Sequence, residues 1–145
     1  MVGDGPERVN CEALCRELNV CEHTRFLGKQ DAVEEILSVG DLFLMPSEAE
    51  SFGLAALEAM ACKVPVISTN AGGLPELNVN GVTGFMNNVG DIDGMAENAI
   101  KILEDSEVLE KFKENALNRA KEFDLALILP LYEQYYREVI EKSKA

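Results

Sequence analysis

Residues 41–76 read DLFLMPSEAESFGLAALEAMACKVPVISTNAGGLPE, and this stretch decides the fold. The continuous apolar runs at 41–45 and 64–68 are typical of strands that are covered on both faces of a sheet. Apolar residues at helical spacing over 53–61 lie between them, and a short helix is expected at 75–79. This order predicts right-handed β-α-β units and a parallel sheet with helices on both faces.

The same alternation of strands and helices extends along the chain in both directions. Upstream we expect the end of a strand at 1–3, helices at 7–18 and 31–39, and a β-rich run at 24–28; downstream we expect a strand at 83–86 and helices that begin near 91, 106 and 125. We therefore predict a single α/β domain over residues 1–145, with a Rossmann-like core at 1–90 and C-terminal helices at 91–145.

The charge of the chain argues against two classes of partner. The net charge is −13, from 13 basic and 26 acidic side chains. Nucleic acids and anionic membranes are bound through clustered Lys and Arg, so we expect no nucleic-acid partner and no membrane. The sequence has no apolar run of membrane-spanning length, and its start lacks the pattern of a secretion signal, so the cytoplasm is the expected location.

The cysteines do not predict a metal site. Cys11, Cys15 and Cys21 precede His23 in the pattern C-x3-C-x5-C-x-H, which is not a standard zinc spacing. Cys11 and Cys15 are four positions apart on a predicted helix, where small buried thiols are common. We therefore expect no metal, and His23 is interpreted as a loop residue.

Candidate ligand-binding loops follow the predicted strands. Parallel sheets bind ligands at the carboxyl ends of their strands, and distinctive loops are expected there at 3–6, 28–31, 46–52 and 70–76. Ser51, Phe52 and Gly53 lead into a helix whose first N–H groups are unpaired and partly positive. Gly53 would let a ligand approach the backbone, so this loop could hold a pyrophosphate without any lysine. Gly72 and Gly73 precede the next helix in the same way.

Two glutamates, Glu50 and Glu58, lie on either side of Gly53. Both would repel a phosphate, but a carboxylate accepts hydrogen bonds from vicinal hydroxyls, as dinucleotide-binding folds do at the ribose. One glutamate could therefore hold a ribose and the other a carried sugar, with the phosphates between them. The alternative is that Glu50 is a loop charge and Glu58 a solvated helix residue, and that the glycines serve only tight turns.

Together these motifs resemble the family-4 retaining glycosyltransferases. The family's E-x7-E motif matches Glu50 and Glu58, its F-G-L matches 52–54, and its G-G-x-P-E matches 72–76. VGDGPE and FLGKQDAVEEIL match two upstream landmarks near the nucleotide base. The family has two facing Rossmann-like domains, and the resemblance, which covers nearly the whole chain, identifies this one as the second, donor-binding domain.

The resemblance implies a role for each matched residue. Glu50 would contact the transferred sugar and is the candidate catalytic residue, and Glu58 would contact the ribose. The implied donor-binding residues are Ser51, Phe52, Gly53, Leu54, Glu58, Gly5, Gly28, Lys29, Gly72 and Gly73. The implied donor is a UDP-sugar, with an N-acetylated hexose such as N-acetylglucosamine as the sugar, and no metal or other cofactor is expected.

The sequence departs from the family pattern in two ways. Lys63 stands where the family usually has glycine in a left-handed helix cap, at a cost of about 1 kcal/mol. The family's second domain also begins with a further strand and helix that carry an Arg and a Lys for the diphosphate. The resemblance implies that these, and the acceptor domain before them, are missing from this sequence.

Two further expectations follow from the missing parts. The absent strand would lie between the strands that hold Val2 and 42–45, which leaves strand edges exposed and favours self-association. The chain alone should not transfer sugar. Two other functions stay open: a related sugar-nucleotide epimerase, which product analysis would identify, and a non-catalytic fragment that folds only with a partner.

Overall fold

The computed structural model describes residues 1–143. Contacts between residues divide the chain into two compact units, Met1–Val33 and a second unit that begins at Glu34. The predicted single domain with a core at 1–90 stays a prediction. The helices are α1 (Arg8–Glu17), α2 (Val33–Leu37), α3 (Leu54–Ala61), α4 (Leu74–Leu77), α5 (Ile92–Leu103), α6 (Ser106–Lys121) and α7 (Leu125–Ser143); the strands are β1 (Phe43–Met45), β2 (Val66–Thr69) and β3 (Gly84–Asn87).

The first unit pairs its two extended segments without forming regular strands. The Met1 amino group donates to the Arg25 carbonyl, Leu27 N–H donates to the Met1 carbonyl, and Gly3 N–H donates to the Gly28 carbonyl. The segments run parallel, but their spacing does not make a regular ladder. The β-rich run expected at 24–28 is therefore extended and paired with residues 1–3, but it does not form a regular strand.

The second unit is built on a parallel sheet in the order β1-β2-β3. Phe43 is opposite Val66 in the first pair, and Val66 is opposite Gly84 in the second. The predicted parallel α/β fold is confirmed, with strand bounds shifted by one or two residues. Among residues 1–143, β1 has β2 as its one strand neighbour, so the other edge of β1 is unpaired.

Apolar side chains from the sheet and the C-terminal helices form the core. Ile67 of β2 clusters with Met95 and Ile102 of α5 and Phe112 of α6, and all four are buried. The Phe112 ring packs against Phe85, with centroids 5.5 Å apart. Helix α6 also packs along α3, so it connects the core to the element that follows β1. Within the described chain, no helix has the length and apolar character that crossing a membrane requires.

Helix α3 ends in the left-handed cap that the sequence predicts. Lys63 has a φ of +63°. Its N–H donates to the Met60 carbonyl at 3.0 Å, and Val64 N–H donates to the Ala59 carbonyl at 2.9 Å. These bonds satisfy the last carbonyls of the helix. A lysine therefore occupies a conformation that glycine adopts more easily.

Candidate functional site

Polar groups join the carboxyl ends of all three strands at one edge of the sheet. Thr69 Oγ1 donates to the Ser47 carbonyl at 2.5 Å, which ties the loop after β1 to the end of β2. Asn70 N–H donates to the Asn87 carbonyl at 2.9 Å, and the Asn70 side chain donates to Asn88 Oδ1 at 3.0 Å. The loops after the strands are therefore held together, at the edge where parallel sheets bind ligands.

The first loop, residues 46–53, leads into α3 through a left-handed glycine. Gly53 has a φ of +100° and a ψ of +44°, and it caps the helix. The first helical bond runs from Leu57 N–H to the Gly53 carbonyl at 3.0 Å. The N–H groups ahead of Leu57 in the first turn have no partner within the helix, and they carry the positive end of its dipole. This terminus can accept an anion, as the sequence indicates.

The structure adds a second explanation for the glycine at position 53, beside the one that the sequence suggests. A Cβ atom at Gly53 would lie 2.7 Å from Leu74 Cδ2, and Leu74 is fully buried. On the side where a side chain would project, the space beside Gly53 is therefore filled by Leu74 and Leu77. Glycine is required here by the left-handed φ and by packing against α4.

The second loop, residues 70–73, packs backbone against backbone on the first loop. A Cβ at Gly72 would lie 1.6 Å from the Glu50 carbonyl oxygen, and one at Gly73 would lie 2.6 Å from the Ser51 carbonyl oxygen. Gly73 N–H donates to the Glu50 carbonyl at 3.3 Å. The structure thus brings Glu50, Ser51, Gly72 and Gly73 together, and no larger side chain fits between the two loops.

The helix after the second loop is short. Helix α4 has four residues, with Pro75 in its first turn. A helix of this length has few aligned peptide dipoles, so its N-terminus attracts an anion less strongly than that of α3, which has eight residues. The sequence predicts two similar helix starts at this edge, whereas the structure makes α3 the stronger of the two.

The two glutamates differ in their surroundings. Glu50 is half-buried, and its Oε1 accepts the N–H of Ser51 at 3.0 Å. Glu58 is exposed in the second turn of α3, and Leu54 at the start of the same helix is 65% exposed. Glu50 is therefore oriented by its own loop, while Glu58 is available to solvent or to a ligand.

The remaining predicted site residues lie in the first unit. Gly5 lines an open cavity of about 310 Å³, together with Asp4, Arg8 and Phe26. Gly28 has a φ of +67°, and its carbonyl accepts the Gly3 N–H at 2.8 Å, which joins the two predicted turns. Lys29 is exposed. The hydrogen bond from the Arg8 guanidinium to Glu12 raises the pKa of Arg8, which lines the same cavity.

Two residues that support the loops, Arg119 and Phe123, were not identified from the sequence. The Arg119 side chain donates to the carbonyl groups of Leu77 and Glu76 at the end of α4. The Phe123 ring packs edge-on against Phe52, with centroids 5.7 Å apart and an angle of 66° between the rings. An Arg and a Phe near the end of a charged helix carry no local signal for such contacts, because the partners lie more than 40 positions away.

The described residues offer no metal centre. Across 1–143, no group of three or more His, Cys, Asp or Glu side chains is placed to hold a metal ion. Cys15 lies beside Cys21, where a hydrogen bond between the two thiols raises the pKa of Cys21. The expectation that the reaction needs no metal or cofactor stays a prediction.

Comparison with known proteins assigns the family. A family profile described as "Glycosyl transferases group 1" matches residues 1–119. The chain belongs to this family. It is 44% identical over 145 residues to N-acetyl-alpha-D-glucosaminyl L-malate synthase of Bacillus anthracis, covering 99% of this chain and 38% of the relative. It is 36% identical over 113 residues to 2-deoxystreptamine N-acetyl-D-glucosaminyltransferase of Niallia circulans, covering 77% of this chain and 29% of the relative.

Solved structures share the fold. The Anabaena protein Alr3699/HepE, crystallised in complex with UDP, superposes with a TM-score of 0.86 at 28% identity, over 94% of this chain and 40% of that one. Sucrose-phosphate synthase from Thermosynechococcus elongatus gives a TM-score of 0.86 at 29% identity, over 97% and 38%. The chain thus spans about two-fifths of the length of the B. anthracis relative and of the two solved structures.

Proposed function

We propose that the chain is the donor-binding domain of a retaining glycosyltransferase, which transfers a hexose from UDP to an acceptor. N-acetylglucosamine is the expected sugar. The observation that carries the proposal is the packed pair of loops at the carboxyl edge of the sheet, with the Glu50 and Glu58 carboxylates on either side of the start of α3. This arrangement offers N–H groups to a diphosphate and carboxylates to hydroxyls.

The charges favour hydroxyl ligands for the glutamates and a phosphate ligand for the helix. The α3 N-terminus carries partial positive charge, while Glu50 and Glu58 are anionic at neutral pH. A UDP-sugar has its diphosphate between two polyhydroxyl groups. We therefore assign the diphosphate to the α3 terminus, the ribose to Glu58 and the sugar to Glu50.

The relatives support the choice of sugar and nucleotide. The B. anthracis and N. circulans relatives are named as an N-acetylglucosaminyl malate synthase and an N-acetylglucosaminyltransferase. The Anabaena protein was crystallised with UDP and, separately, with UDP-glucose. We carry UDP and an N-acetylated hexose over to this chain as its donor.

The chemistry that we assign to the site is stabilisation of a leaving diphosphate. As the bond between sugar and diphosphate breaks, negative charge grows on the diphosphate oxygens. Fixed N–H dipoles at α3 would stabilise that charge more strongly in the transition state than in the bound donor. Retention of configuration at the sugar and a cytoplasmic location also belong to the proposal.

Calorimetry with UDP tests the proposal on the intact natural protein. We expect saturable binding of UDP, and weaker binding of CDP, which keeps the ribose and diphosphate and changes only the base, as the matched nucleotide control. Product analysis by NMR should then give a glycoside with the donor's anomeric configuration. Absence of UDP binding would contradict the donor assignment, and an inverted product would contradict the retaining mechanism alone.

The parts of a transferase outside this chain lead to two further expectations. We propose that an acceptor domain completes the site and that the chain alone does not transfer sugar; turnover of a UDP-sugar by the isolated chain, above background hydrolysis, would contradict this. The unpaired edge of β1 supports self-association of the isolated chain, because a bare strand edge pairs with another strand. Light scattering should detect such association, and a monodisperse monomer would contradict it.

A further inference from the structure

The end of α6 contacts the back of the second loop through one side chain. Arg119 lies in the last turn of α6, and its side chain is 25% exposed. Its Nε donates to the Leu77 carbonyl at 3.1 Å, and its Nη2 donates to the Glu76 carbonyl. Both acceptors belong to the last turn of α4. Arg119 therefore caps the helix that the second loop begins.

This cap is important because α4 is short. A helix of four residues makes few internal hydrogen bonds, so most of its carbonyl groups need other partners. Asn78 N–H satisfies the Leu74 carbonyl at 2.8 Å, and Arg119 satisfies the two carbonyls at 76 and 77. Hydrogen bonds from a charged donor are stronger than neutral ones. Arg119 therefore contributes to holding α4, and Gly73 just before it, in place.

The same guanidinium reaches the first loop through an aromatic pair. Arg119 Cζ lies 4.9 Å from the centroid of the Phe123 ring. Phe123 packs edge-on against Phe52, the residue before the left-handed Gly53. Arginine stacks well on an aromatic face while its planar edge donates hydrogen bonds. One side chain therefore connects the supports of both loops.

We propose that Arg119 and Phe123 are positioning residues of the donor site, which hold α4 and Phe52 in place and thereby orient the two loops that adjoin them. The inference rests on the proposed function, because it concerns the affinity of the loops for a nucleoside diphosphate. Neither residue touches the ligand in this account. Arginine suits this role better than lysine, because its rigid planar guanidinium donates to two carbonyls along its edge while its face stacks on Phe123.

The alternative is that Arg119 only stabilises the fold, and affinity separates the two roles. A purely structural residue lowers the unfolding temperature but leaves the Kd of the folded protein unchanged. A positioning residue raises the Kd at temperatures where the variant is fully folded. Misplacement of a binding group by about 1 Å can reduce function by up to about a hundredfold.

The test is UDP calorimetry on the intact natural protein and four variants, at a temperature where circular dichroism shows each to be folded. For Arg119→Gln we expect a Kd raised about tenfold or more, and for Arg119→Lys an intermediate value, because the charge and one hydrogen bond remain. Phe123→Leu should raise the Kd in the same direction. Arg137→Gln is the matched control, since Arg137 pairs with Glu133 on the surface of α7, and its Kd should not change.

Each possible result of this experiment either supports the proposal or contradicts it. If wild-type protein does not bind UDP, the proposed function fails and this inference fails with it. If wild type binds and Arg119→Gln binds equally well, the positioning role alone is wrong. Should Arg119→Gln not fold, Phe123→Leu decides, because it removes the aromatic link and leaves the carbonyl groups of α4 capped. An unchanged Kd in that variant would then overturn the proposal.

Discussion

Glycines occupy turns in both units of the molecule, but for different reasons. In the second unit, Gly72 and Gly73 lie against the backbone of the first loop, where even a methyl group would collide. In the first unit, a Cβ atom at Gly3 or Gly5 would meet no atom within 4 Å. The loops at the sheet edge need glycine in order to pack on each other. The turn at residues 3–6 has open space, which a ligand can occupy.

This difference separates glycines that pack two loops together from glycines that border open space. Sequence motifs do not distinguish the two cases, since GDG and AGG both read as turns. Substitution by alanine does distinguish them. Replacing a glycine that packs against another loop should lower the stability of the protein. Replacing a glycine that borders space occupied by a ligand should lower the affinity for that ligand and leave stability unchanged.

The largest effect is expected for Gly72→Ala. Its Cβ would lie 1.6 Å from the Glu50 carbonyl oxygen, so the two loops must separate. We expect a loss of about 3–5 kcal/mol in the free energy of unfolding, which is a large part of a typical total. Denaturant titration measures it. Gly81→Ala is the control, because Gly81 has a φ of +75° but no atom within 4 Å of an added Cβ, so it should cost only about 1 kcal/mol. Equal losses in the two variants would show that loop packing is unimportant.

Gly5→Ala tests the open space in the first unit. Gly5 has no strained φ and no near neighbour, so we expect the free energy of unfolding to change by less than about 0.5 kcal/mol. If the nucleotide lies against this turn, the added methyl group should weaken UDP binding by about tenfold. Calorimetry and a thermal melt on the same sample give both quantities. Unchanged affinity would remove Gly5 from the donor site.

The smallest effect is expected for Lys63→Gly. Lys63 has a left-handed φ of +63°, which glycine adopts at no steric cost, so stability should rise by up to about 1 kcal/mol. The Lys63 pair with Glu114 is exposed and offsets this little. The hydrogen bond from Lys63 lowers the pKa of Glu114. The pair is therefore lost only in acid, as the pH falls through that lowered pKa. Glu114→Gln is the control, and a destabilised Lys63→Gly protein would contradict the assignment.

Much of the fold could be predicted from local patterns. The apolar runs at 41–45 and 64–68 overlap β1 and β2, and Lys63, which stands where the family usually has glycine, lies in the left-handed cap that the sequence predicts. These features depend on a residue and its near neighbours. The β-rich run at 24–28 pairs with residues 1–3 but forms no regular ladder, because ladder formation depends on the spacing of a partner segment that composition does not specify.

The site was predictable only in part for the same reason. The two loops could be placed at one edge from topology alone. The packing of Gly53 on Leu74 and the contacts of Arg119 depend on tertiary distances that no motif encodes. The sequence therefore identified the candidate loops, but it did not predict the packing of Gly53 on Leu74 or the residues behind the loops.

The central claim is that Glu50 and Glu58 bind different parts of a UDP-sugar. Calorimetry with UDP on Glu50→Ala and Glu58→Ala in the intact natural protein tests it most directly, with Glu97→Ala as a control from the exposed surface of α5. A lost hydrogen bond to a charged group costs about 1.5–3 kcal/mol, so Glu58→Ala should weaken UDP binding about ten- to a hundredfold. Glu50→Ala should leave UDP affinity unchanged and reduce turnover with the UDP-sugar by a similar factor. Equal losses of UDP affinity in the two variants, or no loss in either, would contradict the account.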